Sequence, residues 1–94
     1  MAQNTTINTT ANAWVQLTDA NIATITFQNV GSNHILVKAT VGAVAPTSTA
    51  GSIRYNPGQG ERNGALTDLF PGVAGANRVY AYATEVVPVV VSHA

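Results

Sequence analysis

Apolar and polar residues alternate with a period of two over several short stretches of the chain. In Ile22–Asn29, Ala23, Ile25 and Phe27 alternate with Thr24, Thr26 and Gln28, which predicts a strand with one buried face. In His34–Val41, Ile35, Val37, Ala39 and Val41 share a face. The intervening Gly31-Ser32-Asn33 predicts a tight hairpin between these two strands. Arg78–Thr84 sets Val79, Ala81 and Ala83 against Tyr80 and Tyr82 on the opposite side. Helical spacing is nearly absent, and the Val-, Thr- and Ile-rich segments are cut at short intervals by Gly, Pro and Asn.

Further extended segments are predicted at Thr5–Thr10, at Trp14–Thr18 (ended by Asp19-Ala20-Asn21), at Gly51–Tyr55 and at Glu85–Ser92. Residues 42–50, with Pro46, read as a loop. Asn56-Pro57-Gly58 reads as a turn that opens a glycine-rich loop running to Gly64. Ala65–Phe70 is the one place for a short helical turn, with Pro71-Gly72 ending it and a small-residue loop after it. About seven or eight short strands with frequent turn signals predict an all-β fold, a small antiparallel β-sandwich or barrel. There is no internal repeat, so residues 1–94 form a single β-domain, with 1–12 a candidate extended N-terminal arm.

The final strand is apolar on both sides, Val87, Val89 and Val91 against Val86 and Val90. Such a strand is central in its sheet or covered by something else. Pro88 cannot donate to a ladder and argues for an edge or a bulge, and an apolar edge calls for a partner. The three valines are therefore expected in the core or in a subunit interface.

Charge changes the picture more than any motif. Four basic and four acidic residues make up 9% of the 94 residues and cancel, against roughly 25% charged residues in an ordinary domain. A surface made polar by Thr, Asn, Gln and Ser has few ions to desolvate and suits close packing against another protein. Four cations spread along the chain leave no footprint for nucleic acid. With no cysteine, disulfides and thiolate sites are excluded, and a small core then leans on oligomerisation. The N-terminal stretch lacks the basic and apolar regions of a signal peptide, and no apolar run is long enough to span a membrane. The Asn4 and Asn8 sequons read as chance in a Thr/Asn-rich segment.

Catalytic constellations are not apparent. Ser92 and His93 are adjacent and so point to opposite faces of a strand. The carboxylates Asp19, Glu61, Asp68 and Glu85 are scattered singly, whereas a glycosidase sets two across a cleft. No catalytic residue, metal ligand or cofactor site is assigned. Trp14, Tyr55, Tyr80 and Tyr82 raise a carbohydrate-binding hypothesis, with Tyr80 and Tyr82 as candidate glycan contacts. Against it stands packing at a core rim or an interface, where tyrosine is enriched. The Asn56–Gly64 loop, with Glu61-Arg62, reads as an exposed contact loop.

The stretch from Ile22 onward, with FQNVGSNHILVKAT, APTSTAG and DLFPGVAGANRVYAYA, resembles small virion structural proteins of tailed bacteriophages and prophages. The resemblance implies a non-enzymatic virion protein, a capsid decoration or cement subunit acting as a homo-oligomer through β-surface contacts with other virion proteins such as the major capsid protein. The alternative is a glycan- or receptor-binding module of a head or tail fibre. Expected protein contacts are Thr5, Ile7 and Thr9 of the arm, Gln59, Glu61 and Arg62 of the loop, and Val87, Val89 and Val91 of the last strand.

Overall fold

The computed structural model describes residues 2–94, so Met1 of the expected arm lies outside the described residues. Eight strands and one helical turn follow in the order β1 (Gln3–Asn8), β2 (Ala13–Gln16), β3 (Thr24–Asn29), β4 (Ile35–Thr40), β5 (Ile53–Tyr55), β6 (Gly60–Ala65), α1 (Leu66–Leu69), β7 (Arg78–Ala83) and β8 (Pro88–His93). They form two four-stranded antiparallel sheets, β1-β8-β3-β6 and β2-β7-β4-β5, called below the β8 sheet and the β7 sheet. The expected all-β fold is thus a small sandwich.

The core lies between the sheets. Ile25 and Phe27 of β3 and Val89 and Val91 of β8 meet Ile35 and Val37 of β4 and Val79 and Ala81 of β7, with Leu17, Leu66 and Phe70 at its ends. Each large side chain contributes roughly 1.5–3 kcal/mol by leaving water, as an upper estimate. Phe27 meets Tyr55 edge-on, ring centroids 4.9 Å apart.

Nearly every connection crosses from one sheet to the other, and of consecutive strands only β4 and β5 pair. This corrects the expected hairpin. β3 pairs with β6 and β8, whereas β4 pairs with β5 and β7. Alternation says which residues face inward but not whether the next strand lies beside its predecessor or opposite it. The corner is built by Asn29, fully buried, whose Nδ2 donates to the Asn33 and Tyr55 carbonyls at 2.7 and 3.1 Å while its Oδ1 accepts from Gly31 N. A Cβ at Gly31 would lie 2.7 Å from Val87 Cγ1, so the corner passes too close to the core for any side chain. Val41, expected on the buried face of β4, lies beyond the strand's end and is exposed.

Three further expectations are corrected. The glycine-rich stretch after Gln59 is not a loop but the edge strand β6, paired with β3 through a register shift between Ile25 and Phe27. A side chain at Gly60 would clash with the Phe27 carbonyl, so tight strand packing accounts for a glycine that reads as loop. The last strand is not an edge, because β8 runs between β1 and β3. Pro88 is tolerated as its first residue: its carbonyl accepts from Val30 N at 3.2 Å, and no N–H is required of it. The first strand is displaced toward the N-terminus, and Thr9, just beyond it, is buried.

Candidate functional site

The expected contact residues largely meet one another. Thr5 stands opposite Val91 and Ile7 opposite Val89 across the β1–β8 ladder. Thr9 Oγ1 accepts from Val87 N at 2.8 Å and donates to Glu85 O at 2.9 Å. Val87, Val89 and Val91 are at most 1% exposed, so their side chains serve this chain's own core and present no face to a partner. Thr5 is exposed and Ile7 half-buried against the core. Glu61 turns toward Tyr55, whose hydroxyl donates to Glu61 Oε2 at 3.1 Å. Burial, then the hydrogen bond to Glu61 and its charge, push the Tyr55 hydroxyl far above its ordinary value. Tyr55 is thereby a neutral core residue rather than a surface aromatic. Gln59 caps its turn, accepting from Asn56 N at 2.8 Å. Arg62, exposed, borders a shallow groove of about 250 Å³ with Thr26, Gln28 and Val90.

The outer faces differ sharply in chemistry. On the β8 sheet, residues directly opposite share a face, and the outward rows are Asn4–Ser92–Thr26 and Thr6–Val90–Gln28. These carry hydroxyls, amides and one valine. A second groove of about 330 Å³, with Thr24, Asn63 and Ser92, ends at His93. His93 is buried, its Nε2 3.3 Å from Asp19 Oδ1. The fold thus brings together a histidine and a carboxylate that are 74 residues apart, and their position at the end of the strand ties β8 to the loop after β2.

On the β7 sheet, Tyr82 and Tyr80 alternate with the inward Val79, Ala81 and Ala83 and point outward. The ladders place Trp14, Tyr82, Leu36 and Arg54 in one row across all four strands, and Gln16, Tyr80 and Lys38 in the next. Four strands span about 14 Å at their ordinary spacing. Trp14 and Tyr82 are half-buried, with ring centroids 5.4 Å apart and planes inclined at 49°. Tyr80, offered as a glycan contact, is only 4% exposed. Gln16 and Lys38 flank it, and its hydroxyl donates to Gln16 Oε1 at 3.2 Å, so its ring has no free face. The exposed aromatic surface belongs to Tyr82 and Trp14. Leu36, Lys38 and Arg54 complete it and escaped sequence reasoning, because only the strand register brings residues 14, 82, 36 and 54 into line.

Lys38 Nζ donates to the Ser48 carbonyl at 3.3 Å and Arg78 Nε to Asn21 Oδ1 at 2.9 Å. Among the described residues no lysine or arginine is salt-bridged, and no group of three or more His, Asp or Glu is placed to hold a metal ion. Compared with known protein families, curated proteins and solved structures, the chain has no match.

Proposed function

We propose that the protein is a non-enzymatic structural component of a tailed-phage virion, a capsid decoration or cement protein that packs flat β surfaces against the shell and against sister subunits. The observation that carries this reading is the outer face of the β8 sheet across β1, β8 and β3, whose rows Asn4–Ser92–Thr26 and Thr6–Val90–Gln28 hold no ionised side chain, Arg62 on edge strand β6 being the charge that borders them. Such a face is covered by a partner without stripping water from ions, and its hydroxyls and amides exchange water for partner groups. Edge strand β1 adds main-chain donors and acceptors along its free side, the kind of template on which strands pair.

The solution mass, by light scattering at micromolar concentration, tests the reading. A discrete oligomer or polymer is expected, reduced to monomer by Thr6→Glu with an unchanged melting temperature. A wild-type monomer that also stays free when mixed with assembled capsid shells overturns it.

A second reading, a glycan-binding module of a head or tail fibre, is favoured by the Trp14–Tyr82 surface on the β7 sheet. Sugar rings present C–H faces that pack on aromatic rings, and Gln16, Lys38 and Arg54 supply hydrogen-bonding groups beside them. Loss of glycan binding in Tyr82→Ala with the fold retained is the expected result, and undiminished binding in that variant counts against the site.

A further inference from the structure

Resting on the glycan-binding reading, we infer that the outer face of the β7 sheet takes carboxylated saccharides. The chain has four cations and four carboxylates and no net charge, but the fold separates them. Three of the four cations stand on this one face: Arg54 in the row of Leu36 and Tyr82, Lys38 in the row of Tyr80, and Arg78 opposite Thr40. The carboxylates are placed elsewhere. Asp19 is at His93, Glu61 at Tyr55, Asp68 on α1, and Glu85 accepts a hydrogen bond from Asn33. A neutral chain therefore carries a basic face, and Lys38 and Arg78 are held there by neutral oxygens that leave their charges uncompensated.

The spacing fits a chain of sugars better than a single one. Along the outer side of β4, Leu36, Lys38 and Thr40 lie two residues apart, with Arg54 opposite the first and Arg78 opposite the last. At strand geometry the three rows cover about 14 Å. Trp14 and Tyr82 lie at one end of this track and offer ring surface to sugar C–H groups. Guanidinium groups receive carboxylates through paired N–H donors, a geometry that a neutral hydroxyl does not reproduce. The same aromatic and basic residue types bind single-stranded nucleic acid. That ligand presents a phosphate at every residue, and its binders carry a larger excess of cations than a chain with a pI near 6.7. Charge complementarity therefore favours an anionic sugar, whether a uronate chain or a sialylated terminus.

Titrations followed by ligand-observed NMR decide it, using short oligogalacturonate against a maltooligosaccharide, sialyllactose against lactose, and a short oligothymidylate. The expected result is binding of a carboxylated sugar at least about tenfold tighter than its neutral counterpart, weakening as salt rises. Whether oligogalacturonate or sialyllactose binds identifies the source. The double substitution Arg54→Gln/Lys38→Gln should remove about tenfold in affinity at unchanged melting temperature, and Trp14→Ala should abolish binding. Because the double variant leaves the core untouched, its result holds even if Trp14→Ala unfolds. Equal binding of neutral and carboxylated sugars, unaffected by Arg54→Gln/Lys38→Gln, overturns the carboxylate preference and leaves the glycan reading standing. Binding of neither sugar class, or a preference for oligothymidylate, overturns both.

Discussion

The two sheets have the same job on the inside and different chemistry on the outside. Their inner faces are interchangeable in kind: Ile25, Phe27, Val89 and Val91 against Ile35, Val37, Val79 and Ala81. Outside, the β8 sheet shows Asn4, Thr6, Ser92, Thr26, Gln28 and Val90 with Arg62 at its β6 edge, whereas the β7 sheet shows Trp14, Tyr82, Leu36, Lys38 and Arg54. Folding constrains the inner positions to apolar residues of fitting size and leaves the outer ones free within β propensity. That freedom yields hydroxyls and amides on one face and aromatic rings with cations on the other, a difference that packing of the core does not impose.

The inner equivalence is broken most completely by Val89→Asp. An unpaired carboxylate in the core costs several kcal/mol, comparable with the whole stability of a domain this small, roughly 5 kcal/mol. Circular dichroism should show no cooperative melting, and a normal transition would contradict the central placement of β8. Asn29→Ala should cost about 2 kcal/mol in urea unfolding, because the Asn33 and Tyr55 carbonyls lose a shared buried donor. A loss below about 0.5 kcal/mol would mean that the crossing between sheets does not depend on that side chain.

Tyr55→Phe cuts the hydrogen bond joining β5 of one sheet to β6 of the other and should cost about 1 kcal/mol at neutral pH. It also carries a pH signature. The Tyr55 hydroxyl is raised in the folded state, so the unfolded chain releases this proton first, near pH 10. Tyr55 thus stabilises the fold fully below that pH and progressively less above it. Urea unfolding from pH 9 upward should show a decline that Tyr55→Phe reduces, and parallel curves would remove Tyr55 as its source. The smallest stability effects sharpen the outer contrast. Thr6→Glu and Arg54→Gln should each change stability by no more than about 0.5 kcal/mol. The first should alter only the mass in solution and the second only saccharide binding; a crossed result would merge the two faces into one.

The strands and their inward residues were legible in the sequence, because a period of two reports burial directly: Ile25, Phe27, Ile35, Val37, Val79 and Ala81 all face the core. Pairing was not, since β3 followed by β4 gives the same alternation whether they lie side by side or face each other across the core. β6 was hidden because Gly60 and Gly64 give its pattern no side chain at two of six positions. The terminal valines Val87, Val89 and Val91, expected as partner contacts with the core as the alternative, are at most 1% exposed and lie in the core. Of the candidate site, Tyr82 and Trp14 were visible as aromatics. Their company with Leu36, Lys38 and Arg54 depends on three ladder registers that no local pattern encodes.

The place of β8 also has a consequence for synthesis. β1 and β3 emerge from the ribosome early, yet β1 finds its ladder partner, and β3 its second one after β6, in β8, the last of the eight strands. Until Pro88–His93 is released, half of the sandwich has no centre, and β1 has no partner at all. Folding of this chain is therefore a late, nearly all-or-none event dominated by contacts distant in sequence, slow by the standards of its size. During that interval the waiting strands are open to pairing with neighbouring copies on the same message.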